Sequence, residues 1–196
     1  MKLVYVREAK SRGYTVLGID EGEGARAYTV PVSIYSDIGA PICGASVSED
    51  AFSRVAYADE VFRATKKALS LLSFSDNNKR TLRAKLRRAG FSPEASDEAV
   101  AEMVRDGYVN EGRQLERLIL SEVKTKLLGR ARIIPKLAAK GYSKSEAEET
   151  LDRLAEAGEI DFSSVKEELI RRRLGDNPCS EDVKKLLYKH GFSAWE

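Results

Sequence analysis

A three-residue signature, glycine then an aromatic then serine, recurs at Gly90-Phe91-Ser92, Gly141-Tyr142-Ser143 and Gly191-Phe192-Ser193, with intervals of 51 and 50 residues. A period of that length marks tandem supersecondary units that bury their apolar faces by stacking along the chain. The surroundings repeat in phase. Leu82, Ile133 and Val183 correspond, as do Leu86, Leu137 and Leu187, and as do Leu69, Leu120 and Ile170. Downstream, Val100, Met103 and Gly107 match Leu151, Leu154 and Gly158.

Each member of the triplet has a mechanical role. Glycine supplies the positive φ on which helices end, the aromatic folds back on the last turn, and serine caps the next helix. Ser92 precedes Pro93, suited to a first helical position, and Ser143 stands three residues before Glu146, the capping-box spacing. With the preceding amphipathic segment, each unit reads as three helices: 60–73, 77–89 and 93–106, then 112–128, 130–140 and 144–157, then 163–174 and 181–190. The third unit stops short at Trp195-Glu196.

Ahead of the repeats the period is two. Lys2–Val6, Tyr14–Ile19 and Ala27–Ile34 alternate as strands, joined by Arg12-Gly13 and by Asp20-Glu21-Gly22-Glu23-Gly24, links of hairpin length. Tyr5, Tyr14, Tyr28 and Tyr35 are expected to pack on this sheet. Its apolar face needs a cover, which Ala51, Phe52, Val55, Val61 and Phe62 can supply. Ser46 with Glu49 has capping-box spacing, and Asp59 is placed to cap a second helix. The expected fold is mainly α: tandem three-helix repeats of about fifty residues, the last truncated, behind a small N-terminal β-meander. The expected divisions are a β-rich module with a short helix at 1–58, repeats at 59–110 and 111–161, and a partial repeat at 162–196.

Charge is where the repeats carry more than packing. Lys79, Arg80, Arg83, Lys85, Arg87 and Arg88 occur with no acid before Pro93, and Lys124, Lys126, Arg130, Arg132, Lys136 and Lys140 form a second run at the same phase. Arg171, Arg172, Arg173, Lys184, Lys185 and Lys189 form a third. Acids gather instead on the third helices, at Glu94, Asp97, Glu98 and Glu102 and at Glu146, Glu148, Glu149, Asp152 and Glu156. Part of this complements helix dipoles or merely solvates a face. Three runs in phase would also align on stacked units as a basic strip fit for a polyanion or an acidic protein groove. Phe91, Tyr142 and Phe192 sit at helix ends, where burial suits them better than stacking on bases.

Other function classes lose support. Whole-chain net charge is only +2 and announces no polyanion partner. No run of apolar residues is long enough to span a bilayer, so a soluble protein is expected, and two distant cysteines with no signal-peptide apolar stretch make the cytoplasm the expected compartment. Gly22-Glu23-Gly24-Ala25-Arg26-Ala27 satisfies G-x-G-x-x-A but leads into a strand, where a dinucleotide site needs a helix. Cys43 and Cys179 are too far apart in sequence for a metal knuckle; Cys43 reads as buried and Cys179 as exposed. The lone His190 precedes a helix-ending glycine, where it suits the helix C-terminus. Neither an enzyme, a metal site nor a cofactor is expected.

The repeats resemble the RecX family of bacterial recombination regulators. Leu82-Arg83-Ala84-Lys85-Leu86 through Gly90 is similar to the family's L-x2-K-L-x3-G element, and Ile133 through Gly141 repeats it. Val100 through Asn110, with Gly107-Tyr108-Val109-Asn110, and Leu151 through Asp161 are similar to its glycine-ended helix. Arg80-Thr81 and Glu111 depart from the usual acidic residue and Asp. A solvated repeat protein with segregated charge is expected to be monomeric, and the resemblance implies a non-enzymatic regulator. It implies binding to the RecA recombinase filament and restraint of its recombinase, ATPase and coprotease activities in DNA repair and the SOS response. Arg83, Arg87, Arg88, Lys124, Lys126, Arg130, Arg132, Lys136, Lys140, Arg171, Arg172, Lys184 and Lys185 are the expected filament-binding residues. A helical-repeat module that binds single- or double-stranded DNA directly is the alternative.

Overall fold

The computed structural model describes residues 1–193; the expected end of the third repeat at Trp195-Glu196 lies outside them. The chain divides into two compact units, Met1–Val109 and a second beginning at Asn110.

In the first unit β1 (Lys2–Glu8), β2 (Tyr14–Asp20) and β3 (Ala25–Pro31) form an antiparallel sheet in the order β1-β2-β3. The Gly-Glu-Gly segment is a turn: Asp20 Oδ1 accepts the Gly22 and Gly24 N–H groups at 2.8 and 3.2 Å. β2, the central strand, is buried along most of its length. Leu3, Leu17, Ile19, Tyr28 and Val30 pack with Val55 and Ala58 of the following long helix.

Five local expectations are corrected. The third strand ends at Pro31, and Val32–Asp37 turns into α1 instead of continuing the strand to Ile34. Pro31 brings no N–H to a ladder, while the Val32 N–H goes to the Gly13 carbonyl at 2.9 Å. The helix after the module is one continuous element, α2 (Glu49–Phe74), whose N-cap is Ser48, accepting from the Ala51 N–H, and not Ser46. Asp59 starts no second helix. It lies buried inside α2, accepting the Thr29 N–H at 2.8 Å and pairing with Arg63 at 2.8 Å, and so ties the edge strand to α2. Cys43 is exposed, not buried, with its Sγ–H donating to the Val4 carbonyl. The expected module boundary at 58/59 falls within α2.

The repeats follow. α2 with α3 (Lys79–Arg88) and α4 (Pro93–Arg105) encloses a core of Ala64, Ala68, Leu82, Leu86, Val100 and Met103. In the second unit α5 (Glu111–Lys124), α6 (Arg130–Ala139) and α7 (Lys144–Glu156) enclose Leu115, Ile119, Ile133, Leu137, Leu151 and Leu154. α8 (Phe162–Leu174) and α9 (Ser180–His190) pack Leu169 and Phe192 with Leu127. The triplet turns share one geometry. The glycines take φ of 93°, 97° and 83°, and the aromatic N–H groups return to the carbonyls of Leu86, Leu137 and Leu187 at 3.3, 3.2 and 3.0 Å. This is the six-to-one closure of a helix end. Ser92 and Ser143 then cap α4 and α7, the latter in a complete capping box. Tyr142 and Phe192 are buried, whereas Phe91 is half-buried.

Candidate functional site: the basic surfaces of the repeats

Many bases of the in-phase runs are used inside their own repeat. Arg83 and Arg87 of α3 both pair with Asp97 of α4, Arg87 at 3.5 Å. Lys85 donates to Asn77 at 2.5 Å. In the second unit Arg130 of α6 meets Asp152 of α7 at 2.5 Å. The segregation of charge between the second and third helices of a repeat therefore fastens one to the other. Arg171 and Arg172 share Glu168, and Lys185 pairs with Glu181 at 2.7 Å.

Lys126 and Lys136 converge on Glu122, at 2.5 and 2.8 Å. The Glu122 side chain is only 7% exposed. Burial pushes its carboxyl up, but the two lysine hydrogen bonds outweigh that and hold it below the ordinary glutamate value. Lys136 is thus a structural cation as well as a surface one. A variant stripped of Lys124, Arg130, Arg132 and Lys136 together would lose packing along with charge.

Arg132 donates from Nε to the Lys189 carbonyl at 3.0 Å, which joins α6 to the end of α9. The same junction takes two backbone bonds, Gly129 N–H to His190 O at 2.9 Å and Ala131 N–H to Gly191 O at 3.2 Å. Gly129 is the N-cap of α6 and has no side chain to cap with, so the carbonyls ending α9 take over that role. A Cβ on Gly191 would stand 2.6 Å from the Arg132 nitrogen, so the approach requires glycine. His190 bonds through Nδ1 with the Leu186 carbonyl at 3.0 Å, at the helix end.

Among the described residues, Arg88, Lys124 and Lys184 are exposed and have no ion pair or side-chain hydrogen bond, unlike most of the other expected filament-binding bases. Lys140 is exposed on the last turn of the second repeat's α6, at its C-cap. The bases do not merge into one bare strip; paired and unpaired ones alternate. Two further residues matter here. Glu122, between Ser121 and Val123, has no local sequence signal for burial with two cations, since Lys136 reaches it from another helix. Tyr188, exposed on α9, was betrayed only by the repeat itself, since the corresponding positions are Arg87 and Ala138.

A β module followed by tandem helical repeats, each with its own run of bases, defines a helical-repeat protein. No family model matches the chain. Individual relatives do. A regulatory protein RecX of Amycolatopsis mediterranei is 31% identical over 135 residues, spanning 67% of this chain and 74% of the relative. One from Caldanaerobacter subterraneus subsp. tengcongensis is 26% identical over 188 residues, 95% of this chain and 91% of its own length. A crystal structure of regulatory protein RecX superposes with a TM-score of 0.73 at 18% identity, over 99% of this chain and 95% of that one. RecX from Lactobacillus salivarius gives 0.58 at 21% identity, over 70% and 91%. The chain belongs to the RecX family of regulatory proteins. Among its described residues no helix is long and apolar enough to cross a membrane.

Proposed function

We propose that this chain regulates the RecA recombinase by binding the RecA–DNA filament and restraining its recombinase, ATPase and coprotease activities, without catalysing a reaction of its own. The observation that carries the reading is kinship with regulatory RecX proteins across both compact units. The surface supports it. Each unit offers exposed bases not spent in internal pairs, Arg88 in the first and Lys124 and Lys184 in the second, which can meet acidic side chains or phosphates of a filament. Arg83, Arg87, Arg130 and Lys136 contribute to such contacts only while also holding their own helices together.

The test is single-stranded-DNA-dependent ATP hydrolysis by RecA with the protein titrated in, beside binding of the same DNA without recombinase. Inhibition at concentrations that leave naked DNA largely unbound is the expected result. A rate that falls only as the DNA itself saturates would instead make the protein a direct nucleic-acid binder that competes for the lattice. The triple variant Arg88→Ala, Lys124→Ala, Lys184→Ala is expected to raise the half-inhibitory concentration about tenfold, as three exposed contacts of modest energy add. Its melting temperature should match the parent's, since none of the three is paired. Unchanged inhibition by this variant would remove these residues from the interface.

A further inference from the structure

Tyr188 lacks a structural reason to be aromatic. The residue is 85% exposed, it has no hydrogen-bond partner among the described residues, and the equivalent positions of the earlier repeats hold Arg87 and Ala138. Packing of the repeat therefore does not require an aromatic there, and exposing one costs apolar hydration that Ala would avoid.

The ring lines a cleft of about 430 Å³ between α9 and α6, whose other wall is formed by Arg132, Pro135 and Lys136. That volume accommodates a single small group. The cleft is rigid. The α6 N-terminus is bound to the α9 C-terminus by the Gly129 and Ala131 N–H groups, and the Gly191 N–H returns to the Tyr188 carbonyl at 3.1 Å. Arg132 is anchored through Nε on the Lys189 carbonyl, leaving its two Nη groups without a partner among the described residues. Arg132, Lys136 and Lys140 follow at four-residue spacing along one side of α6, as a backbone-tracking row requires.

A π-face beside an anchored guanidinium and a row of cations is the combination that holds a nucleotide: the ring stacks on the base, and the cations take the phosphates. A duplex hides both faces of its bases, so only an unstacked strand offers this contact. We infer that the α6–α9 cleft is a subsite for single-stranded DNA, with Tyr188 stacking on one base and the free Nη groups of Arg132 on the adjoining phosphate, while Lys136, held by Glu122 at 2.8 Å, adds positive potential beside it. The choice of DNA over RNA rests on the proposed function; the stacking does not.

The experiment uses the full chain without recombinase, so its outcome is independent of the ATPase test. A short fluorescein-labelled oligothymidylate is titrated and followed by anisotropy. Tyr188→Ala is expected to weaken binding about tenfold, the scale of one stacked base, and Tyr188→Phe to keep near-parent affinity. On an abasic oligomer of equal length, which keeps phosphates but no bases, parent and Tyr188→Ala should bind alike. The assignment is overturned if the parent does not bind the oligothymidylate, if Tyr188→Ala costs nothing, or if it costs as much on the abasic strand. A stronger Tyr188-dependent affinity for an oligouridylate would overturn the choice of DNA. Circular dichroism melts of both variants should match the parent, because the ring is solvent-exposed.

Discussion

Glu122 shows how much a single side chain in the second repeat carries. It is the acceptor for two lysines while nearly enclosed, so its charge is held by the fold. Its carboxyl titrates below the ordinary value near 4.3, which means that the unfolded chain takes up the proton first as pH falls. The stabilisation is therefore complete above the unfolded carboxylate range and is lost as pH drops through the folded value. The melting temperature should fall between about pH 5 and pH 3 by more in the parent than in Glu122→Gln, while at neutral pH that variant should cost about 2 kcal/mol. Parallel pH profiles for the two proteins would show that the pair carries no such energy. At this scale the sequence was a weak guide: Lys126 and Lys136 were legible as cations, but their shared partner was not. Lys126 is one turn beyond Glu122 on the chain, yet Lys136 reaches it only because α6 packs on α5.

Elements were more legible, because their ends are set by neighbouring residues. The triplet turns follow from glycine's free φ and a serine oxygen two residues on, and α4, α7 and α9 have ends close to those expected. Where expectation and structure part, a distant group decides. Asp59 has the residue type of a cap and stands where a helix was expected to begin, but the Thr29 N–H of the edge strand takes its carboxylate, and α2 passes through. An edge strand with an unpaired N–H against a helix needs such an acceptor. Asp59→Ala should therefore loosen the β module by about 1–3 kcal/mol in urea unfolding, with faster hydrogen exchange at Thr29. Exchange at Ile133, in the second unit, should be unaffected. If Thr29 exchanges no faster in the variant, the tie is not what holds the strand.

At the scale of the molecule, each repeat has its own apolar cluster, and each compact unit contains its clusters whole. A fragment beginning at Asn110 should therefore be helical by circular dichroism and unfold in one cooperative transition. A fragment without cooperative unfolding would show that the second unit depends on the first. The fifty-residue repeat, the β-rich start and the likeness to RecX proteins were all readable in the chain alone. So was the run of cations in each repeat.

The sequence by itself determined the period and the helix ends that the glycine-aromatic-serine triplets close, because these depend on backbone freedom and on contacts a few residues apart. Only the tertiary structure decided which cations are spent and which remain. Arg83 and Arg87 lie fourteen and ten residues from Asp97, and Arg130 lies twenty-two from Asp152, so their pairing waits on how the helices pack. The same packing buries Glu122, gives Asp59 to a strand, closes α6 with the end of α9, and leaves Tyr188 facing two cations across a cleft. A charge pattern fixes what a surface contains; the distances between helices fix what that surface has left to offer a partner.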